Sequence, residues 1–193
     1  GEAGVAVGTN ALTANTTGIR NTAVGYNALT ANTTAAYNTA LGFVALSATT
    51  TGERNTALGY ASLENCTGSR NLAVGMFSGT ALTSGNDNTL LGYLAGNAAI
   101  TGAGNTAVGA DAYSAGTSGE KNVAVGGGAL NANTTTSNLT AVGYDALGAN
   151  TTGHNNTAVG SGALQVCSTG TYNTAIGNYA LDAHLGSDAT AVG

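Results

Sequence analysis

Residues able to do acid–base, nucleophilic or metal chemistry are scarce here: two histidines, two cysteines, nine carboxylates and four basic side chains in 193 residues. Catalysis needs such groups to converge, and nothing in the chain gathers them. His154 and His184 have no carboxylate or cysteine at metal-ligand spacing, so neither reads as a ligand. The glycine run Gly126–Gly128 invites a phosphate-loop reading, but it lacks the following lysine and any helix. A net charge of −5 argues against nucleic acid. The expectation is a protein without catalytic residues, metal or cofactor, and not an enzyme.

The elements that must position these residues are announced by a repeat. The glycine closing each "AVG" unit recurs at Gly8, Gly25, Gly42, Gly59, Gly75, Gly92, Gly109, Gly126, Gly143, Gly160, Gly177 and Gly193, at spacings of 17 residues shortened twice to 16. The unit, numbered from its asparagine, reads N-T-A-V-G-Y-x-A-L-x-A-N-T-T-G-x-x. A fixed period of this kind is the signature of a repeat architecture. With 42% hydrophobic and 7% charged residues and no proline, the chain is ordered. No linker or composition shift interrupts the period, so residues 1–193 form one repeat domain. No run approaches the roughly 20 apolar residues of a membrane span, and no signal peptide is legible. The chain begins at Gly1 in mid-repeat, as a fragment of a longer fibre would.

Helix is excluded by two near-fixed glycines per unit, each costing about 1 kcal/mol in a helix. Short strands joined by turns at glycine and asparagine fit instead. The reading is an all-β parallel β-solenoid of twelve coils of about 17 residues, with two or three short strands per coil. Coils stacked at about 4.8 Å make a rod roughly 55–60 Å long.

Position 3 is Ala in every copy except Leu90, position 4 beside it is always Val, Leu or Ile, position 8 is small and position 9 is usually Leu. Neighbours in a strand point to opposite faces, so each strand reads as alanine-lined inside and branched outside. Leaving the branched face in water forgoes roughly 1.5–3 kcal/mol per side chain, and such a strip is not tolerated on a soluble monomer. The expected oligomer interface is therefore Val24, Leu29, Leu41, Leu46, Leu58, Leu63, Val74, Leu91, Val108, Val125, Leu130, Val142, Leu147, Val159, Leu164 and Ile176. The alternative is a wider coil that encloses the branched residues itself.

Asn21, Asn38, Asn55, Asn71, Asn88, Asn105, Asn122, Asn156 and Asn173 occupy position 1 and should stack into a column whose amides bond turn backbone and the next coil. The glycines at position 5 are assigned to a corner that needs positive φ or a close backbone approach. Arg20, Arg54, Arg70 and Lys121 at position 17 follow Glu2, Glu53 and Glu120 at position 16 on one solvated corner. Cys66 and Cys167 lie six coils apart, about 29 Å at the strand spacing, too far for a disulfide. Asn-x-Thr sequons at Asn15, Asn32, Asn65, Asn133, Asn138, Asn150 and Asn155 are what a repeat of Asn and Thr generates by default. Met76, Phe77 and Tyr113 depart from the repeat and are candidates for specificity.

At "NTAVGYNALTANTT" the chain resembles the left-handed parallel β-roll heads of YadA-like trimeric autotransporter adhesins, whose core is Asn-Ser-Val-Ala-Ile-Gly. It is also similar, over nearly its whole length, to the "NTAxGYxAL…NTTG" arrays of phage tail fibres and bacterial surface fibres. The resemblance implies a left-handed β-roll in a parallel homotrimer, located outside the cell, on its surface or on a virion. It also implies a non-enzymatic fibre shaft that attaches to a host receptor, glycan or surface, with no nucleic acid and no membrane insertion. A self-assembling extracellular filament of end-to-end stacked coils is the alternative. An ice-binding surface of threonine ranks comes third.

Overall fold

A computed structural model describes residues 4–98 and 100–193. Twelve parallel strands of three residues, β1 (Val5–Val7) to β12 (Thr190–Val192), form one sheet in chain order. The chain is an all-β parallel solenoid, with one coil per repeat and no helix among the described residues. Register is kept residue for residue: Thr22 pairs with Thr39, Ala23 with Ala40, and Val24 with Leu41. The first 16-residue coil holds it too, with Leu58 opposite Val74. The missing residue is absorbed in the threonine loop, where Thr67-Gly68 replaces the usual Thr-Thr-Gly and both amides bond the Thr83 carbonyl.

Each coil has one strand where the sequence suggested two or three. Beyond position 5 the backbone turns through left-handed residues: φ is +54° at Asn27 and +51° at Leu29, and the same two columns are positive in every described full coil. Those residues cannot belong to an extended strand. Coil-to-coil hydrogen bonds nevertheless continue through the turns, as from the Leu29 amide to the Ala45 carbonyl at 3.1 Å.

This geometry corrects the assignment of the branched residues. Leu29, Leu46, Leu63, Leu130, Leu147 and Leu164 are not an oligomer surface; each is fully buried in the interior of its own chain. The reason is the left-handed turn, which swings position 9 inward beside position 8 instead of to the opposite face. Alanine at positions 3 and 8 and leucine at 9 thus line one continuous core. The interior conserves volume where the repeat lapses. Leu90 replaces alanine at position 3, and the two flanking position-9 residues are Gly79 and Gly96. A Cβ on these glycines would come within 2.8 and 2.6 Å of Leu90 methyls. Tyr113 replaces leucine at position 9, and its ring occupies the space opened by Gly116.

Candidate functional site

The face that can meet another molecule is built by the strands. In Thr22–Val24 the central alanine is buried while positions 2 and 4 look outward. Repetition in register turns position 4 into an apolar column along the rod, partly exposed from Val24 to Ile176 and most so at Leu41 (46%) and Ile176 (42%). Leu58, Val74, Leu91, Val108, Val125, Val142 and Val159 complete it. Beside it, the position-2 hydroxyls of Thr22, Thr39, Thr56, Thr89, Thr106, Thr140, Thr157 and Thr174 have no hydrogen-bond partner among the described residues. The threonines at position 13 differ: Thr16, Thr67, Thr83, Thr117 and Thr151 donate to a carbonyl of the next coil.

Position 6 carries a second exposed column. Tyr26, Phe43 and Tyr60 stack ring on ring with centroids 5.1 Å apart, and Phe77 meets Tyr60 edge-on at 5.2 Å. Met76 and Tyr93 prolong the column, both nearly half exposed.

The asparagine column holds the register. Asn38 accepts from the Asn55 amide at 2.9 Å and donates to the Gly52 carbonyl at 2.8 Å. One side chain thus serves two backbone groups, at the end of its own coil and the start of the next, at the corner where strand pairing has stopped. Asn21, Asn55, Asn71, Asn88, Asn105, Asn122 and Asn173 repeat this arrangement. The column breaks once, at Leu139, whose amide donates to Asn122 Oδ1 at 3.0 Å but whose side chain offers nothing to the next coil. Asn156 still reaches the Gly170 carbonyl, but its own amide and the Gly153 carbonyl have no partner among the described residues, and Asn150 Nδ2 is buried unpaired.

The position-5 glycines close each strand. From Gly25 to Gly177, through Gly42, Gly59, Gly75, Gly92, Gly109, Gly126, Gly143 and Gly160, φ lies between +133° and +145°. A Cβ there would sit against the backbone of the coil above, as at 2.6 Å from the Gly109 carbonyl carbon for Gly92.

The charged corner closes on itself. Arg70 grips Asp87 with two bonds of 2.6 and 2.8 Å. The pair raises the guanidinium and lowers the carboxyl from their ordinary values, by hydrogen bonding first. Arg54 meets Glu53 at 3.3 Å, and Arg20 bonds the Tyr37 hydroxyl and lies over that ring at 5.3 Å. Glu120 and Lys121 occupy the same corner one above another coil, and Glu2 lies outside the described residues.

Cys66 and Cys167 are free and buried. Burial pushes the Cys66 thiol up to about 11 and raises that of Cys167. Among the described residues no three His, Cys, Asp or Glu side chains could share a metal. Tyr113, read from the sequence as a candidate for specificity, is core: its hydroxyl donates to the Gly119 carbonyl at 3.1 Å, taking the bond that Asn32 makes at position 12 elsewhere. Burial raises its pKa. The sequons at Asn32, Asn133 and Asn150 are fully buried. No family model matches the chain, and neither a curated protein nor a solved structure does. Among the described residues no helix is long and apolar enough to cross a membrane.

Proposed function

We propose that this chain is the shaft of a non-enzymatic attachment fibre, located outside the cell or on a virion, in which three parallel chains share their position-4 columns. The observation that carries the reading is the unbroken outward column from Val24 to Ile176, aligned by strict register along one sheet. Each partly exposed Val or Leu leaves up to roughly 1 kcal/mol of burial unrealised, and one straight partner face recovers it for every coil. The resemblance of the repeat to trimeric adhesin heads supports three chains and a left-handed roll. The expected partners are copies of itself and a surface receptor or glycan.

Replacing Leu41 and Val108 together with aspartate tests the interface. Both are outward, so β content should persist while light scattering reports a fall from trimer to monomer. A parent chain that is already monomeric, or a variant that stays trimeric, would remove the reading. Concentration-dependent growth beyond a fixed mass would favour the end-to-end filament. The position-2 hydroxyls keep the ice-binding reading open to a thermal-hysteresis assay, which should be negative for a fibre that covers this face.

A further inference from the structure

The outer position-6 column of large side chains lapses after Tyr93, at Ala110, Gly127 and Ser161, and returns only at Tyr144. Tyr26, Phe43 and Tyr60 of the position-6 column each lie against a neighbouring ring, but Tyr144 lies between Gly127 and Ser161 and is 66% exposed. Its ring overhangs Gly127, with Cδ2 3.5 Å from where a Cβ there would be. The next residue, Gly128, has φ +67° and lies beneath the Asp145 carboxylate, which a Cβ would strike. The two glycines therefore open a notch of about 380 Å³ lined by Asp111, Ser114, Asn131, Tyr144 and Asp145. Through Asn131 and Asp145 it continues into a second hollow of about 460 Å³ that reaches Gln165.

We propose that this groove binds a neutral saccharide. Its polar side chains Asp111, Ser114, Asn131, Asp145 and Gln165 have no hydrogen-bond partner among the described residues, so their full capacity faces the groove. This contrasts with the closed Arg70–Asp87 pair. A carboxylate accepts two adjacent hydroxyls, an amide donates and accepts at once, and an exposed tyrosine ring offers an apolar face for sugar C–H groups beside a polar edge. A few convergent polar groups around an aromatic wall are what a small-ligand site needs. Asp111 and Asp145 stand two coils apart, about 10 Å at the strand spacing. That is too far to share one cation, and it suits a short oligosaccharide. No basic residue lines either hollow, so anionic glycans are repelled.

The proposal rests on the attachment reading for its biological purpose and adds the ligand class. It is tested by electrophoresis of the whole chain through native gels containing mannan, galactan or dextran, with heparin as the anionic comparison. Gly127→Tyr restores the repeat's own residue and closes the notch; Gly127 has no positive φ, so the backbone tolerates it. Asp145→Asn removes the carboxylate without changing shape. The expected result is retardation by at least one neutral polysaccharide, unchanged by EDTA and absent with heparin. It should be lost in Gly127→Tyr and at least tenfold weaker in Asp145→Asn. If Gly127→Tyr does not fold by circular dichroism, Asp145→Asn decides alone. No retardation in any neutral gel, retardation insensitive to these variants, or retardation abolished by EDTA would overturn the proposal. Retardation by a chain that sediments as a monomer would instead sink the trimeric shaft and leave the groove standing.

Discussion

Gly92→Ala is the sharpest probe of why the repeat exists. At φ +136° an added Cβ is strained whatever the space, at about 1–3 kcal/mol. It would also lie 2.6 Å from the Gly109 carbonyl carbon, which is backbone and cannot swing aside. Relieving the clash means prising two coils apart, at a point where the Gly109 amide bonds Leu91 at 2.7 Å. Losing that bond adds about 1 kcal/mol, for a total of about 2–4 kcal/mol. At roughly 2–4 °C per kcal/mol for a chain of this size, the melting temperature should fall by about 4–16 °C. Gly127→Ala is the matched control: its φ is not positive and the nearest atom is 3.5 Å away, so it should be neutral or slightly stabilising. Thermal unfolding followed by circular dichroism at one protein concentration reads both. Gly92→Ala melting within about 1 °C of the parent, or the two alanine variants melting alike, would refute the corner argument.

Three further outcomes are expected. Leu90→Ala should cost about 2–4 kcal/mol in chemical denaturation, and adding Gly96→Leu should recover more than about 1 kcal/mol of it, because leucine is native at that φ in Leu29; additive losses would disprove the volume exchange. In hydrogen exchange the Asn156 amide, unserved above Leu139, should exchange on the order of tenfold faster than the Asn173 amide, which Asn156 Oδ1 accepts at 2.9 Å; equal protection would contradict the break in the column. The Cys66 thiol should resist a thiol reagent at pH 8 until the chain unfolds. Its folded value is raised by burial, so its stabilising share is whole below its ordinary 9.0 and is lost as pH climbs to about 11. A Cys66→Ser variant with the same alkaline fall in stability would show that the thiol is not responsible.

Much of this was legible in the residues. The period alone places Val24, Leu41 and Leu58 in one column and aligns the asparagines, because a solenoid can only repeat if every coil turns at the same residue. The inward position of Leu29 was not legible: alternation assumes extended backbone, and nothing in "YNALT" declares that Asn27 and Leu29 adopt left-handed φ. Two hints existed. Asparagine tolerates that region, and glycine stands at the Leu29 column in Gly79 and Gly96. Tyr113 misled for a related reason, since only the packing shows that Gly116 makes room for it. The groove at Tyr144 was hidden because "VGGGAL" looks like a weak phosphate loop. Its meaning lies in what two glycines fail to cover on the neighbouring coil, at Tyr144 and Asp145.

The trimer is the claim on which the functional account turns, and sedimentation equilibrium of the purified chain tests it most directly. A single species of about 55 kDa, three times the 18.5 kDa chain and independent of concentration, is expected. A stable 18.5 kDa monomer with full β content would contradict it.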